Sequence, residues 1–132
     1  DFGSVNELFE KAEHTHSKLI LDMLKKLVNS EFTNILERQF GIGWGNRFEA
    51  QSLRFISVYK DCGGHEADAL EHLLITRVLR KGKVLGRYDI SIDKLKDLKS
   101  ALSKMFKSIN GTATKAIEII ESEITRKEEG VY

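Results

Sequence analysis

The sequence predicts an all-α fold, a single compact bundle of five or six helices spanning residues 1–132, with at most a short extended stretch near 83–90. Three observations carry this. Apolar residues recur at steps of three and four along most of the chain, the spacing that lines one face of a 3.6-residue helix. Helix-capping signals stand ahead of these stripes. The chain has no proline, so no ring interrupts a helix from within.

The first stripe, Val5, Leu8, Phe9, Ala12, Leu19, Ile20, Met23, Leu24, Leu27 and Val28, predicts one long helix or two in line over about Ser4–Asn29, interrupted at the polar His14-Thr15-His16. Ser4 and Glu7 have capping-box spacing. A shorter helix with Phe32, Ile35, Leu36 and Phe40 on one side stops at Gly41-Ile42-Gly43-Trp44-Gly45, where three glycines in five residues disfavour helix and strand alike. Asn46 and Glu49 repeat the box and open a helix whose face is Phe48, Ser52, Phe55, Ile56 and Tyr59, ending at Asp61-Cys62-Gly63-Gly64. The next runs from about Glu66 to Leu79, burying Ala67, Leu70, Leu73, Leu74 and Val78, with Gly82 closing it. Lys83–Ile90 reads as a short strand or an ordered loop. Ser91 caps a helix with the face Ile92, Leu95, Leu98, Leu102, Met105, Phe106 and Ile109. Asn110-Gly111 breaks the chain, and Thr112 or Thr114 starts a last helix carrying Ala116, Ile117, Ile120 and Ile124.

Composition sets bounds on function. At 41% hydrophobic and 31% charged residues the chain can bury a core. Its one cysteine excludes an intrachain disulfide. No apolar run approaches the roughly 20 residues that cross a bilayer, so the expectation is a cytoplasmic domain with no membrane partner. The net charge of +1 hides segregation: from Arg77 to Lys115 eleven basic residues face three acidic ones, net +8, which leaves −7 for the rest. Arg80, Lys81, Lys83 and Arg87 gather around a loop, while Lys96, Lys104 and Lys107 fall opposite the apolar face of the Ser91 helix. Such a surface grips phosphates without reading sequence, or balances acidic helices within and between copies.

Other chemistry is weaker. The glycine-rich turn feeds a helix N-terminus, where backbone N–H groups and the dipole favour anions, but Gly45-Asn46-Arg47 replaces the Gly-Lys-Ser/Thr of a Walker A loop. The alternative is an interhelical turn anchored by Trp44. Arg47 opposes the dipole at the opening of its helix, so its placement has no stabilising reason there. No metal site is expected. His14 and His16 diverge by about 200° on a helix, His65 and His72 stand about 10 Å apart in rise, and Cys62 has no second cysteine. Glu10, Glu13, Glu37, Glu49, Glu66, Glu71, Glu118 and Glu121 fall where solvated helix faces want charge, and the Glu118–Glu129 end reads as solvated surface.

The run Phe40-Gly41-Ile42-Gly43-Trp44-Gly45-Asn46-Arg47, with Leu53-Arg54-Phe55-Ile56, Ala67-Asp68-Ala69-Leu70, Thr76-Arg77-Val78-Leu79-Arg80-Lys81-Gly82 and Leu95-Lys96-Asp97-Leu98, resembles the C-terminal helical lid of AAA+ ATPases, in the McrB-like branch associated with modification-dependent DNA restriction. The likeness covers about half of the chain. Arg80 stands where such lids often carry proline, and neither Walker motif is present. The resemblance implies a piece of a longer, oligomeric ATPase, a reading to which the Asp1 start adds. It implies no catalytic residue in this chain, a nucleotide-phosphate contact at Arg47 or alternatively Arg54, and ATP or GTP with Mg2+ as cofactor of the whole. The partners would be the ATPase core and neighbouring subunits, with the lid closing over nucleotide and passing that closure on. Two rivals stand beside it. One is a free-standing module that binds DNA or RNA, or a protein, through the basic 77–115 surface. The other is an adaptor that dimerises through the Val5–Val28 stripe.

Overall fold

Helix follows helix through residues 16–130, which are those described by the structure, a computed structural model. In chain order these are α1 (described over 16–28), α2 (Glu31–Ile35), a π-helical turn (Leu36–Phe40), α3 (Phe48–Asp61), α4 (Glu66–Arg77), α5 (Ile92–Ser108) and α6 (Thr114–Glu128). The described residues are 70% helical and contain no strand, so the expected all-α bundle is what forms. The Ser4–Glu7 box, His14 and the apolar positions Val5, Leu8, Phe9 and Ala12 lie outside the described residues.

Periodicity places most of the core, but Leu19 and Val28 of the first stripe and Tyr59 of the α3 face are exposed, because each stands at the edge of its helix face. Ile20, Met23, Leu24 and Leu27 of α1 are buried with Phe32, Ile35, Leu36 and Phe40 and with most of the predicted faces of α4, α5 and α6, while Ile92, Ile109 and Ile117 are partly buried against that core. α3 packs on α4, α5 on α6, α2 on α5, and α4 on α6. Only four residues separate α3 from α4, so the pair forms an antiparallel hairpin that sets the start of α3 beside the end of α4.

The ends are less local. Ser30 and Ser91 cap α2 and α5 as side-chain acceptors from Thr33 and Lys94 N–H. Asn46 does not cap α3: Arg47 occupies the N-cap position and no side chain bonds there. α4 ends at Arg77 rather than Leu79, with Val78 as its C-cap. The segment after it is an ordered loop, whose closest approach to sheet is one isolated bridge between Lys81 and Leu85. It is packed on the core, with Val78, Leu79, Val84 and Ile90 buried.

Two acidic expectations are corrected. Glu71 is 8% exposed, and its carboxylate accepts from the Ala116 N–H at 3.1 Å. No side chain of α6 itself caps that helix, so α4 supplies the missing acceptor at the third residue, where a local cap would have bonded. The Glu118–Glu129 end is not all surface either. Glu123 and Lys127 are buried and both reach back to the 80–90 loop.

Candidate anion-binding cleft

The glycine-rich turn is held from both sides. Gly41 ends the π-helical turn in the left-handed region at φ 68°, which a glycine adopts without penalty. Trp44 then stacks on Phe48, with centroids 4.5 Å apart and planes inclined by 22°. Its indole N–H donates to Thr33 Oγ1 at 3.0 Å, and that hydroxyl donates to the Leu27 carbonyl. Trp44 is therefore the anchor, tying the turn to α2 and to the first residue of α3.

This arrangement opens a cleft of about 170 Å³ between the turn, the start of α3, the end of α4 and the following loop. Gly43, Gly45 and Trp44 form one side, and Arg47, Arg77 and Lys83 bring three cations to it. Among the described residues no carboxylate lines it. Arg77 suits its place, because a cation in the last turn of α4 meets the negative end of the helix dipole. Arg47 does not, since it stands at the positive end of α3, and no hydrogen bond or ion pair holds it among the described residues. Like charges gathered at the mouth of a low-dielectric concavity repel one another and raise the local concentration of anions.

The sequence candidates thus separate. Arg47 and Lys83 come together, joined by Arg77, which the sequence showed only as one of many basic residues. The signal that would have found it is its place in the last turn of a hairpin whose opposite end begins with Arg47. Arg54 lies two turns further along α3 beside Gln51, Phe55 and Val58; it does not line the cleft and has interactions of its own. Arg80 and Lys81 are exposed on the loop but do not line the cleft. Lys96, Lys104 and Lys107 are exposed on α5, on a separate face.

Arg87, expected to grip phosphate, is half-buried and committed to hydrogen bonds within the protein. Its Nη1 donates to the carbonyls of Phe40 (2.7 Å) and Lys83 (3.0 Å), while Nε and Nη2 hold Asp89 at 3.1 and 2.8 Å. The hydrogen bond to Asp89 raises the guanidinium above its ordinary pKa and holds the carboxyl below the usual carboxylate range.

Among the described residues no group of three or more His, Cys, Asp and Glu is placed to hold a metal ion, and no helix is long and apolar enough to cross a membrane. Cys62 is a free, exposed thiol at the end of α3. No family model, no curated protein and no solved structure matches the chain.

Proposed function

We propose that the chain is the helical lid of a nucleotide-dependent ATPase, related to DNA-restriction enzymes, that contacts nucleotide phosphates through the Arg47, Arg77 and Lys83 cleft. The observation that carries it is Arg47. A guanidinium at the positive end of a helix, with no partner among the described residues and two further cations across a cleft, costs stability and is compensated when an oxyanion arrives. The donor set fits a polyphosphate and not a bare metal, so Mg2+ would be held by carboxylates of the ATPase core. Closure over nucleotide then brings this cleft to the phosphates and couples nucleotide state to the subunit contact.

Calorimetric titration of the chain with inorganic tripolyphosphate and with ATP tests the contact. Binding is expected for both, weakened by Arg47→Ala. Phosphate-loop and Walker B motifs in the coding sequence upstream of Asp1 are expected as well, and a reading frame that begins near Asp1 refutes the lid. A second reading is favoured by the stripe Lys96, Lys104 and Lys107, where no ion pair forms among the described residues. It makes the chain a free-standing module for DNA or RNA, with salt-sensitive binding lost when the three lysines are replaced by alanine.

A further inference from the structure

We propose that Arg87 is a positioning residue that ties together the two walls of the cleft and so sets its grip on a polyphosphate, an inference that rests on the phosphate reading of the cleft. One wall begins at Gly41, and the guanidinium bonds the carbonyl of Phe40 immediately before it. The other carries Lys83, and the same Nη1 bonds the carbonyl of Lys83. A single planar group therefore ties its own loop to a carbonyl 47 residues earlier in the sequence. Asp89 holds the fork from its far side through Nε and Nη2, which leaves one of five N–H donors and no free edge for an anion. Arg87 thus acts on the anion only through Lys83 and the glycine turn.

The strut also has a reason to be arginine. Phe40 closes a π-helical turn, whose last carbonyls lack donors in their own helix. An ammonium in place of the guanidinium is a single point of charge and cannot hold two carbonyls and a bidentate carboxylate in one plane. The backbone at the same place is pinned from α6. The buried Glu123 carboxylate accepts from the Gly86 N–H, and the buried Lys127 ammonium donates to the Arg87 carbonyl. The loop that bears Lys83 is thereby fixed to the π-helical turn by the side chain of Arg87 and to α6 by its backbone. Displacement of α6 would reach the cleft by this route.

The test compares wild type, Arg87→Lys, Arg87→Ala and Arg47→Ala in titrations with inorganic tripolyphosphate, alongside amide hydrogen exchange of each protein without ligand. Circular dichroism confirms that each is folded, and Asp89→Asn replaces any Arg87 variant that is not. Arg87→Lys and Arg87→Ala are each expected to weaken binding by about tenfold, the loss of one charge-assisted contact. In both, the amides of Ile42, Val84 and Leu85 exchange faster together while the α5 core keeps its protection. Arg47→Ala loses affinity with exchange unchanged, as a direct contact should. Wild-type affinity in Arg87→Lys would mean that only its charge matters and would overturn the strut. If wild type and Arg47→Ala bind alike, the phosphate reading fails. The exchange data still judge the strut in that case, and unchanged exchange at Ile42, Val84 and Leu85 overturns it.

Discussion

Replacing Glu71 isolates a helix cap that comes from another helix. The carboxylate is 8% exposed and lies 3.1 Å from the Ala116 nitrogen, at a helix end with no side-chain cap of its own. Glu71→Ala removes that acceptor, worth about 1 kcal/mol for a helix cap. It also removes a buried carboxylate from the positive end of α6, worth about 1 kcal/mol more. The sum of about 2 kcal/mol corresponds to a fall of about 7 °C in melting temperature for a chain of this size. Glu71→Gln keeps the volume and an acceptor oxygen while losing the charge, so about half of that loss is expected. Urea titration monitored by circular dichroism at neutral pH reads both. An alanine variant as stable as wild type would refute the reasoning, because desolvation of the carboxylate would then cancel all that the cap contributes. Glutamine as damaging as alanine would place the whole effect in the charge.

Two glycines should respond differently to alanine. A Cβ at Gly111 would stand 2.5 Å from that of Ala67, so Gly111→Ala forces the loop away from α4 and costs about 1–3 kcal/mol in a denaturant titration. At Gly41 the space is open and only the φ of 68° is strained, so alanine costs about 1–2 kcal/mol there. Acid should destabilise the fold through two carboxylates. Burial opposes ionisation of Glu66, but the Lys60 hydrogen bond together with backbone and nearby positive charge outweighs it. Its pKa, like that of the Arg87-bound Asp89, is lowered in the folded state. Stability from both groups is present at neutral pH and is lost as pH falls from about 5 through their folded values, a loss that Glu66→Gln should reduce in acid unfolding curves.

What the sequence revealed was what local spacing determines. The faces of α4 and most of that of α5 and the cap at Ser91 depend on residues within a turn of one another, and the structure places their buried side chains accordingly. The expected Asn46 cap fails because the stack of Trp44 on Phe48 and the indole bond to Thr33 decide how the chain enters α3. The polar scaffold was invisible for a stated distance in sequence. Glu71 finds Ala116 across 45 residues, Glu123 finds Gly86 across 37, and Lys127 finds the Arg87 carbonyl across 40. Arg47 stood out because it breaks a local rule. Arg77 obeys the same rule and stayed hidden until the α3–α4 hairpin set it opposite.

The most direct measurement pairs affinity with stability in Arg47→Asp. If Arg47 is held against the helix dipole to meet a polyphosphate, aspartate at that position raises unfolding stability by about 0.5 kcal/mol while abolishing calorimetric binding of tripolyphosphate. A variant that binds tripolyphosphate as wild type does, or a wild type that binds none, would contradict the phosphate cleft.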